Sequence, residues 1–413
     1  MSDDDIEATE RPTRRDYVKY SGAVVGGGLL AGCVGESESG STPESTETET
    51  ATATDTETET DDGSYTVEMF PVGQVEFEEV PETWTTTSND GWSDMAVALG
   101  QADGCRTPGA RLQLYFDALD IDVNTDWPWL WQDGGYSKET FYERDADVHL
   151  LDPNAVMYWD NNWDESDTEE IGSNVGPFFS CFNRRMTIEW QNELNYTENA
   201  PSMLEAFEKL GEVFQEQERV GAFLDVHAEM QAEIDARIDG VDPTSIALIN
   251  AGSDPEKGEF RPLNFSDPGY ETKTYRDLDA QDSFSELDDG QYGGTIDYEV
   301  LLELDPEILV VHWGIINTDD NTFDPEQFRE TWVTPFENHE IGSELTAVQE
   351  GNIYPGPYAE QGPIANLFQT ELTGQILYPE QFGEFDPESY PEIPDEYQLF
   401  DRQRVRDIIN GDI

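Results

Sequence analysis

Short apolar runs separated by longer amphipathic stretches recur along the chain from residue 64 onward. Residues 65–70 alternate apolar and polar side chains, which predicts an edge strand. Residues 94–100 read as a helix that ends at a glycine. Three short apolar runs predict buried strands, at residues 147–151, 245–249 and 308–311. Short buried strands that alternate with helices are typical of an α/β architecture.

The longest helical pattern covers residues 202–239. Its apolar side chains recur mostly at steps of three or four residues, it contains no proline, and Ser202 can cap its start. One straight helix of this length would extend about 57 Å, far enough to connect two lobes. A break near Gly221, which would give two helices, is the alternative.

Two segments on either side of this helix resemble each other. Residues 136–151 and 296–311 align without a gap, and each predicts a cap, a short helix, a turn and a strand. Glu139 matches Glu299 in this alignment. The repeat predicts two similar α/β lobes joined by one long interlobe helix. The predicted boundaries are 64–200 for the N-terminal lobe, 201–239 for the interlobe helix and 240–413 for the C-terminal lobe.

The N-terminal residues resemble an export signal. Arg14 and Arg15 form a twin-arginine pair, and the apolar, glycine-rich run that follows at 23–32 is too short to span a bilayer. Leu30, Ala31 and Gly32 before Cys33 resemble a lipobox, in which the cysteine is lipidated and becomes the first residue of the mature chain.

We therefore interpret residues 1–32 as a removable twin-arginine lipoprotein signal. Residues 34–63 contain almost nothing but Ser, Thr, Glu, Asp, Gly, Pro and Ala, which cannot build a core. The segment 33–63 is accordingly predicted to be an acidic, disordered tether between a membrane anchor and the folded part.

The net charge of the chain indicates the kind of solvent to which the protein is adapted. The chain has 91 acidic and 21 basic residues, a formal net charge of −70. Such self-repulsion opposes a compact state in dilute buffer, whereas molar salt, with a Debye length of about 3 Å, screens it. We interpret the excess as adaptation to extreme salinity. The alternative, a disordered acidic protein, fits poorly with an aromatic content of 11%, and the charge argues against nucleic acid as a partner.

Five segments, in order, resemble the solute-binding proteins of ABC importers in the class that serves siderophores, haem and cobalamin. They are residues 94–104, 206–222, 296–311, 348–354 with the pattern V-x-x-G-x-x-Y, and 378–382 with Y-P-E-Q-F. The resemblance covers nearly all of residues 65–385. It implies the class III periplasmic-binding-protein-like fold, in which two α/β lobes hold the ligand between them.

The resemblance also implies partners. One exposed glutamate per lobe, here Glu139 and Glu299, docks on the permease, which works with an ATPase subunit. We expect a monomer that is lipid-anchored through Cys33 to the outer face of the cytoplasmic membrane. We expect it to be neither an enzyme nor a holder of a cofactor.

The ligand cleft is expected beyond the carboxyl ends of the strands. Three arginines lie at predicted strand ends of the first lobe, namely Arg106, Arg184 and Arg185. A guanidinium group suits the oxygen atoms of a ferric chelate. For Arg184 and Arg185, pairing with local surface acids is the alternative.

Aromatic residues are the other candidates for the cleft. Trp159, Trp313 and Tyr358 would supply apolar walls for the organic part of a ligand. The tryptophan-rich stretch at 127–131 is instead expected to pack in the core.

Cysteines and histidines are few. Cys105 and Cys181 fall on the rim of the first lobe and can form a disulfide, with two separate buried thiols as the alternative. His149 and His312 occupy matching strands of the two lobes; hydrogen-bonded histidines are expected there rather than a metal site.

The sequence therefore predicts a receptor that captures a ferric siderophore for an importer. Cobalamin, haem, an oxyanion or a metal on the same scaffold remain alternatives, as does an exported sensor or adhesion module. The nucleophile elbow, the zinc-protease motif and the phosphate loop do not occur in the sequence, which argues against an enzyme.

Overall fold

The computed structural model describes residues 63–87, 91–108, 112–123, 126–287, 294–316 and 322–413. The predicted signal (1–32), Cys33 and all but the last residue of the predicted tether (33–63) lie outside these residues. In the part of the chain that the structure describes, no helix is both long and apolar enough to cross a membrane.

Eight strands lie in the described residues. They are β1 (Tyr65–Met69), β2 (Gly73–Phe77), β3 (Trp84–Thr86), β4 (Val148–Leu150), β5 (Ser245–Asn250), β6 (Gln281–Asp282), β7 (Leu309–His312) and β8 (Ile353–Pro355). The runs predicted as strands at 65–70, 147–151, 245–249 and 308–311 are β1, β4, β5 and β7, so these predictions are confirmed.

The helices that precede the long helical pattern of the sequence are short. They are α1 (Trp92–Ala98), α2 (Gln113–Ala118), α3 (Lys138–Arg144), α4 (Pro153–Trp159), α5 (Glu165–Asn174), α6 (Glu189–Glu193) and α7 (Tyr196–Asn199). The helix predicted at 94–100 is α1, and Gly100 follows it in the left-handed region with φ +76°.

The remaining helices follow from residue 203 onward. They are α8 (Met203–Phe214), α9 (Gln217–Ile238), α10 (Lys273–Asp277), α11 (Tyr298–Leu304), α12 (Pro325–Phe328), α13 (Thr334–Asn338), α14 (Thr346–Gln349), α15 (Ala365–Leu377), α16 (Pro379–Phe382) and α17 (Arg402–Asn410). Single turns of 3₁₀ helix occur at Ala102–Gly104, Tyr270–Thr272 and Gly342–Glu344, and a π-helical turn occurs at Arg329–Val333.

Two parallel sheets form the centre of the architecture. In the first, β3 pairs with β4, and single bridges at Cys105 and Phe178 extend the sheet on its two sides. In the second, the strand order is β6-β5-β7-β8, all parallel. The strands β1 and β2 form a separate antiparallel hairpin. Parallel strands joined by helices confirm the predicted α/β class.

The predicted helix at 202–239 is interrupted. Ser202 caps α8 as predicted, in a capping box with Glu205. The helix ends at Phe214, Gln215 turns into the left-handed region with φ +54°, and α9 starts at Gln217. The break therefore lies six residues before Gly221, and one uninterrupted interlobe helix was the wrong prediction.

Close packing of the two helices accounts for the turn. Gly211 of α8 lies where α9 crosses, because an added Cβ would be 2.2 Å from a methyl group of Val220. Residues 215–219 are all polar, so the apolar face is interrupted at the turn.

The predicted repeat is present in both halves. α3 precedes β4 and α11 precedes β7, and each helix ends at an aspartate in the left-handed region, Asp145 with φ 47° and Asp305 with φ 40°. The described residues belong to one compact unit. The lobe boundaries at 200 and 240 stay a prediction.

Candidate functional site

The turn from β4 into α4 builds one wall of an apolar cavity. Asp152 ends the strand and caps the helix, because its Oδ1 accepts a hydrogen bond from the backbone N–H of Asn154 at 2.9 Å. Pro153 occupies the first helical position, where a missing N–H does no harm. This places Ala155, Val156 and Trp159 beyond the carboxyl end of the sheet.

The cavity has a volume of about 530 Å³. Its described lining residues are Thr87, Trp129, Leu130, Trp131, Tyr136, Leu151, Asp152, Ala155, Val156, Trp159, Ser180, Phe182, Arg184 and Trp313. Most of the wall comes from the first half of the chain, and Trp313, directly after β7, comes from the second. A concave site with apolar walls and a few polar groups is typical of a small-molecule site.

Two tryptophans predicted to be core residues lie in this wall. Trp131 is 41% exposed, and both Trp129 and Trp131 line the cavity. The core prediction for 127–131 holds for Leu130, which is 2% exposed. Leu130 is buried in the core, so the side chains of Trp129 and Trp131 on either side of it lie in the cavity wall.

The loop is held in place by Tyr136. The ring of Trp131 packs edge-on against that of Tyr136, with centroids 5.0 Å apart. The backbone N–H of Tyr136 donates to Asp160 Oδ2 at 2.8 Å, and its carbonyl accepts from Trp163 Nε1 at 3.2 Å. The aromatic wall is therefore fixed before a ligand arrives.

Asp152 is the acidic group of the wall. Its Oδ2 accepts from the Tyr196 hydroxyl at 2.6 Å and from the backbone N–H of Phe182 at 2.8 Å. Burial raises the pKa of Asp152 to about 6, against the lowering effect of these hydrogen bonds. The carboxylate is thus occupied with holding the wall together.

Arg184 is the basic group of the wall, and it is paired. Its Nε lies 3.3 Å from Glu271 Oε2, and its guanidinium stacks over the ring of Trp313 at 5.5 Å. Arg185 binds the same carboxylate in bidentate fashion, through Nε to Oε2 and through Nη2 to Oε1 at 2.7 Å. The arginines hold the pKa of Glu271 well below its usual range, although burial alone would raise it.

The side chains of His312 and Trp313 also contact Glu271. His312 Nε2 lies 3.2 Å from Oε1, and Trp313 Nε1 donates to Oε1 at 3.0 Å. Trp313 has φ +74°, a strained conformation for a bulky residue. The strain is tolerated because its backbone N–H donates to the carbonyl of Pro357 at 2.8 Å and its indole is held by Glu271.

Backbone hydrogen bonds join the two halves of the chain behind the wall. The N–H groups of Tyr270 and Glu271 donate to the carbonyls of Asn183 and Arg184, both at 3.1 Å. Gly269 allows this approach, because an added Cβ would lie 2.2 Å from the Arg184 carbonyl oxygen. Residues 183–185 and 269–271 therefore form a seam behind the wall, and Arg184 extends from this seam to the cavity.

The six predicted ligand residues divide into two groups. Trp159, Arg184 and Trp313 line the cavity, and Trp159 is 48% exposed at its mouth. The other three lie outside the described wall. Arg106 stacks on Trp127 at 5.6 Å, Arg185 is paired with Glu271, and Tyr358 is buried with its ring 6.1 Å from that of Trp313.

The alternative of pairing with local surface acids is correct only in that Arg184 and Arg185 pair with an acid, because Glu271 is buried and lies 86 residues from Arg185 in the sequence. Asp152 and Ser180, which also line the cavity, lie just beyond the carboxyl ends of the first sheet. Glu271 carried no signal in a sequence with 91 acidic residues.

The predicted disulfide is absent. Cys105 and Cys181 are both free and buried. Cys105 Sγ donates instead to the carbonyl of Thr107 at 3.0 Å. Burial raises the pKa of Cys105 to about 11, so the thiol is neutral. The alternative of two separate thiols is therefore the correct one.

Glu139 and Glu299 lie in matching places. Each is exposed in the first turn of a short helix, α3 and α11 respectively, that leads into a strand of a parallel sheet. Such a helix runs back along the sheet, so its first turn lies at the carboxyl edge, where ligands bind. Their docking role stays a prediction.

The two strand histidines make protein contacts. His149 Nδ1 lies 2.7 Å from the Thr85 hydroxyl, and burial lowers its pKa to about 3. His312 faces Glu271, and burial lowers its pKa too. Within the described ranges no group of three or more His, Cys, Asp or Glu side chains is placed to hold a metal ion.

The chain matches known proteins in part of its sequence and in its fold. Residues 188–359 match the model of a family described as periplasmic binding protein. Among curated proteins, no sequence matches this chain significantly.

Three solved structures illustrate the likeness in fold. The periplasmic solute binding protein from Mycobacterium smegmatis has a TM-score of 0.52 at 12% identity, covering 76% of this chain and 98% of that one. For the TroA-like periplasmic binding protein FepB from Veillonella parvula the TM-score is 0.50 at 13% identity, with 81% and 96% covered. For CeuE of Helicobacter pylori with Ni(II) bound it is 0.50 at 11% identity, with 82% and 98% covered.

These likenesses extend over nearly the whole length of each solved chain and agree with the α/β architecture of parallel sheets. The chain has the class III periplasmic-binding-protein-like fold.

Proposed function

We propose that this chain is the substrate-binding protein of an ABC importer, and that it captures an iron(III) siderophore outside the cytoplasm and delivers it to the permease. The observation that carries the proposal is the aromatic cavity at the carboxyl edge of the first sheet, completed by Trp313 from the second half of the chain. The fold and the match over residues 188–359 support the same class of protein.

The lining of the cavity favours binding over catalysis. Its described residues include no histidine, cysteine or lysine. Asp152 is tied to Tyr196 and to the Phe182 backbone, so it is not positioned as a free general base. Aromatic faces and a fixed loop instead suit reversible capture of a bulky, partly apolar molecule.

Glu139 and Glu299 supply the test of the transport role. Because each is exposed at the start of its helix, replacement by alanine removes a charge without disturbing the core. We expect the double variant Glu139→Ala/Glu299→Ala to bind the ferric chelate with unchanged affinity and to lose uptake of radioactive iron in cells. Calorimetry measures the first quantity and an uptake assay the second.

Matched control residues lie one turn further along the same helices. Glu143 and Glu303 are also exposed, so Glu143→Ala/Glu303→Ala removes the same charge from the same surfaces. Uptake should be retained in this control. Equal uptake in the two double variants would contradict the docking role of Glu139 and Glu299. If the protein binds the chelate but contributes nothing to iron uptake, a sensor or adhesion module would be favoured.

Export and anchoring belong to the same proposal. We propose that residues 1–32 direct twin-arginine export and that Cys33 carries the lipid, with residues 33–63 as the tether. Cys33→Ser should move the protein from the membrane fraction to the medium or soluble fraction. Retention of that variant in the membrane fraction would contradict the lipid anchor.

A further inference from the structure

The charge of Arg184, the basic group of the wall, is compensated within the protein. Glu271 is 2% exposed and is shared by Arg184 and Arg185. Asp267 faces Arg185 from the neighbouring turn, and its carboxylate accepts from the backbone N–H of Met186 at 3.1 Å. Arg184 and Arg185 therefore both meet a compensating carboxylate within the protein itself.

The histidine beside Glu271 adds no positive charge. His312 also contacts Glu271, and its Nδ1 lies 3.4 Å from the Tyr275 hydroxyl. Because burial disfavours the protonated ring, His312 stays neutral. Of the described lining residues, Arg184 and Asp152 are the charged ones, one of each sign.

The rest of the wall offers aromatic faces and hydroxyl groups. Its aromatic residues are Trp129, Trp131, Tyr136, Trp159, Phe182 and Trp313. Ser180 also lines the cavity, and its buried hydroxyl has no hydrogen-bond partner among the described residues. A neutral hydroxyl can donate to a ligand oxygen without adding charge.

We propose that the cavity selects a chelate without net negative charge, of the uncharged ferric tris-hydroxamate class, and that Glu271 is the residue that sets this selectivity. The inference rests on the proposed function. A polyanionic chelate such as a ferric tris-catecholate would need Arg184, which is already engaged by Glu271.

Competition for the arginines is the physical basis of the selectivity. If a ligand anion attracted Arg184, the buried carboxylate of Glu271 would lose part of the positive charge that stabilises it. A trianion would also meet Asp152 in the wall. An uncharged chelate neither attracts Arg184 away from Glu271 nor is repelled by Asp152. Its organic part packs on the aromatic wall, and its oxygens accept hydrogen bonds from neutral donors.

The test compares two probes on the full chain by calorimetry in molar KCl. One probe is an uncharged ferric tris-hydroxamate and the other a trianionic ferric tris-catecholate. We expect the uncharged chelate to bind at least about 30-fold more tightly. Equal or tighter binding of the trianion would overturn this inference and leave the proposed function standing. Binding of neither chelate would overturn both.

Variants test the role of Glu271. Glu271→Gln removes the negative charge and frees Arg184 and Arg185, so the preference for the uncharged chelate should narrow by at least about tenfold. Glu371→Gln is the matched control, because Glu371 is also 2% exposed and paired with an arginine, Arg402, but this arginine does not line the cavity as Arg184 does. The control should keep the wild-type preference. If the Glu271→Gln protein folds and keeps the wild-type preference for the uncharged chelate, the role of Glu271 is overturned. If this variant does not fold, the comparison of the two probes on the wild-type protein still tests the selectivity.

Discussion

At the scale of single residues, burial gives a few acidic side chains a defined role. Asp94 in α1 is fully buried, and its carboxylate accepts from the backbone N–H groups of Gly362, Ile364 and Ala365 at 3.2, 2.9 and 2.6 Å. These donors lie at the start of α15, so one residue of the first half of the chain caps a helix of the second. Glu271 likewise joins the two halves of the chain, because it pairs with Arg184 and Arg185 beside the cavity.

The titration of Asp94 predicts a pH dependence of stability. Burial raises the pKa of Asp94 from 3.8 to about 7. At a pH between 3.8 and about 7, Asp94 is deprotonated in the unfolded chain but still protonated in the folded protein. The contribution of Asp94 to the free energy of unfolding therefore falls as the pH rises through this range. The slope is at most about 1.4 kcal/mol per pH unit.

The measurement is denaturant unfolding of wild type and Asp94→Asn in molar KCl across that window. The difference in free energy of unfolding, wild type minus variant, should be largest near the acidic end and decrease toward neutral pH. Subtraction removes the general effect of the other acids, which both proteins share. A difference that grows with pH would mean that the three N–H donors, rather than burial, control this carboxyl group.

At the scale of elements, the interruption between α8 and α9 shows how one residue changes the shape of a connection. Gln215 adopts φ +54°, a region that non-glycine residues rarely occupy. The turn lets α9 pack back across Gly211. The polar run at 215–219 is the feature of the sequence that could have located this break.

The strain at Gln215 predicts a stabilising substitution. Gln215→Gly should raise the free energy of unfolding by about 0.5–1 kcal/mol, because glycine reaches positive φ without a steric penalty. The side chain of Gln215 is exposed, so little packing is lost. Denaturant unfolding measures the change.

Glu208→Gly is the matched control for the turn. Glu208 is exposed in the interior of α8, where glycine should lower stability by about 1 kcal/mol. Destabilisation by both glycines would indicate that contacts of Gln215 outweigh its backbone strain.

At the scale of the whole molecule, charge is the dominant feature. The formal net charge is −70 from 91 acidic and 21 basic residues, so most carboxylates have no basic partner to pair with. Repulsion between them is long-ranged in dilute buffer and short-ranged in brine. The same excess bears on the ligand, since an uncharged chelate approaches without repulsion.

Salt should therefore stabilise this protein strongly. The melting temperature is expected to rise steadily as KCl increases from about 0.1 M, where the Debye length is about 10 Å, to molar concentrations, where it is about 3 Å. Thermal unfolding followed by circular dichroism measures it. Sucrose at equal osmolality is the control, and an equal rise in sucrose would show that screening is not the cause.

The sequence alone determined the α/β class, four of the strands, the repeat that carries Glu139 and Glu299, and the placement of Trp313 after a buried strand, where it lines the cavity. These follow from local periodicity and from the rule that ligands bind at carboxyl ends of parallel strands.

The tertiary structure alone decided which of those residues are available to a ligand. Pairing of Arg184 and Arg185 with Glu271 joins positions 86 residues or more apart, and no local pattern distinguishes Glu271 from the other acids. The exposure of Trp131 likewise depends on Leu130 being anchored in the core, and the separation of Cys105 from Cys181 depends on where each strand edge lies. Long-range contacts set these outcomes because burial and ion pairing act between segments that the sequence keeps apart.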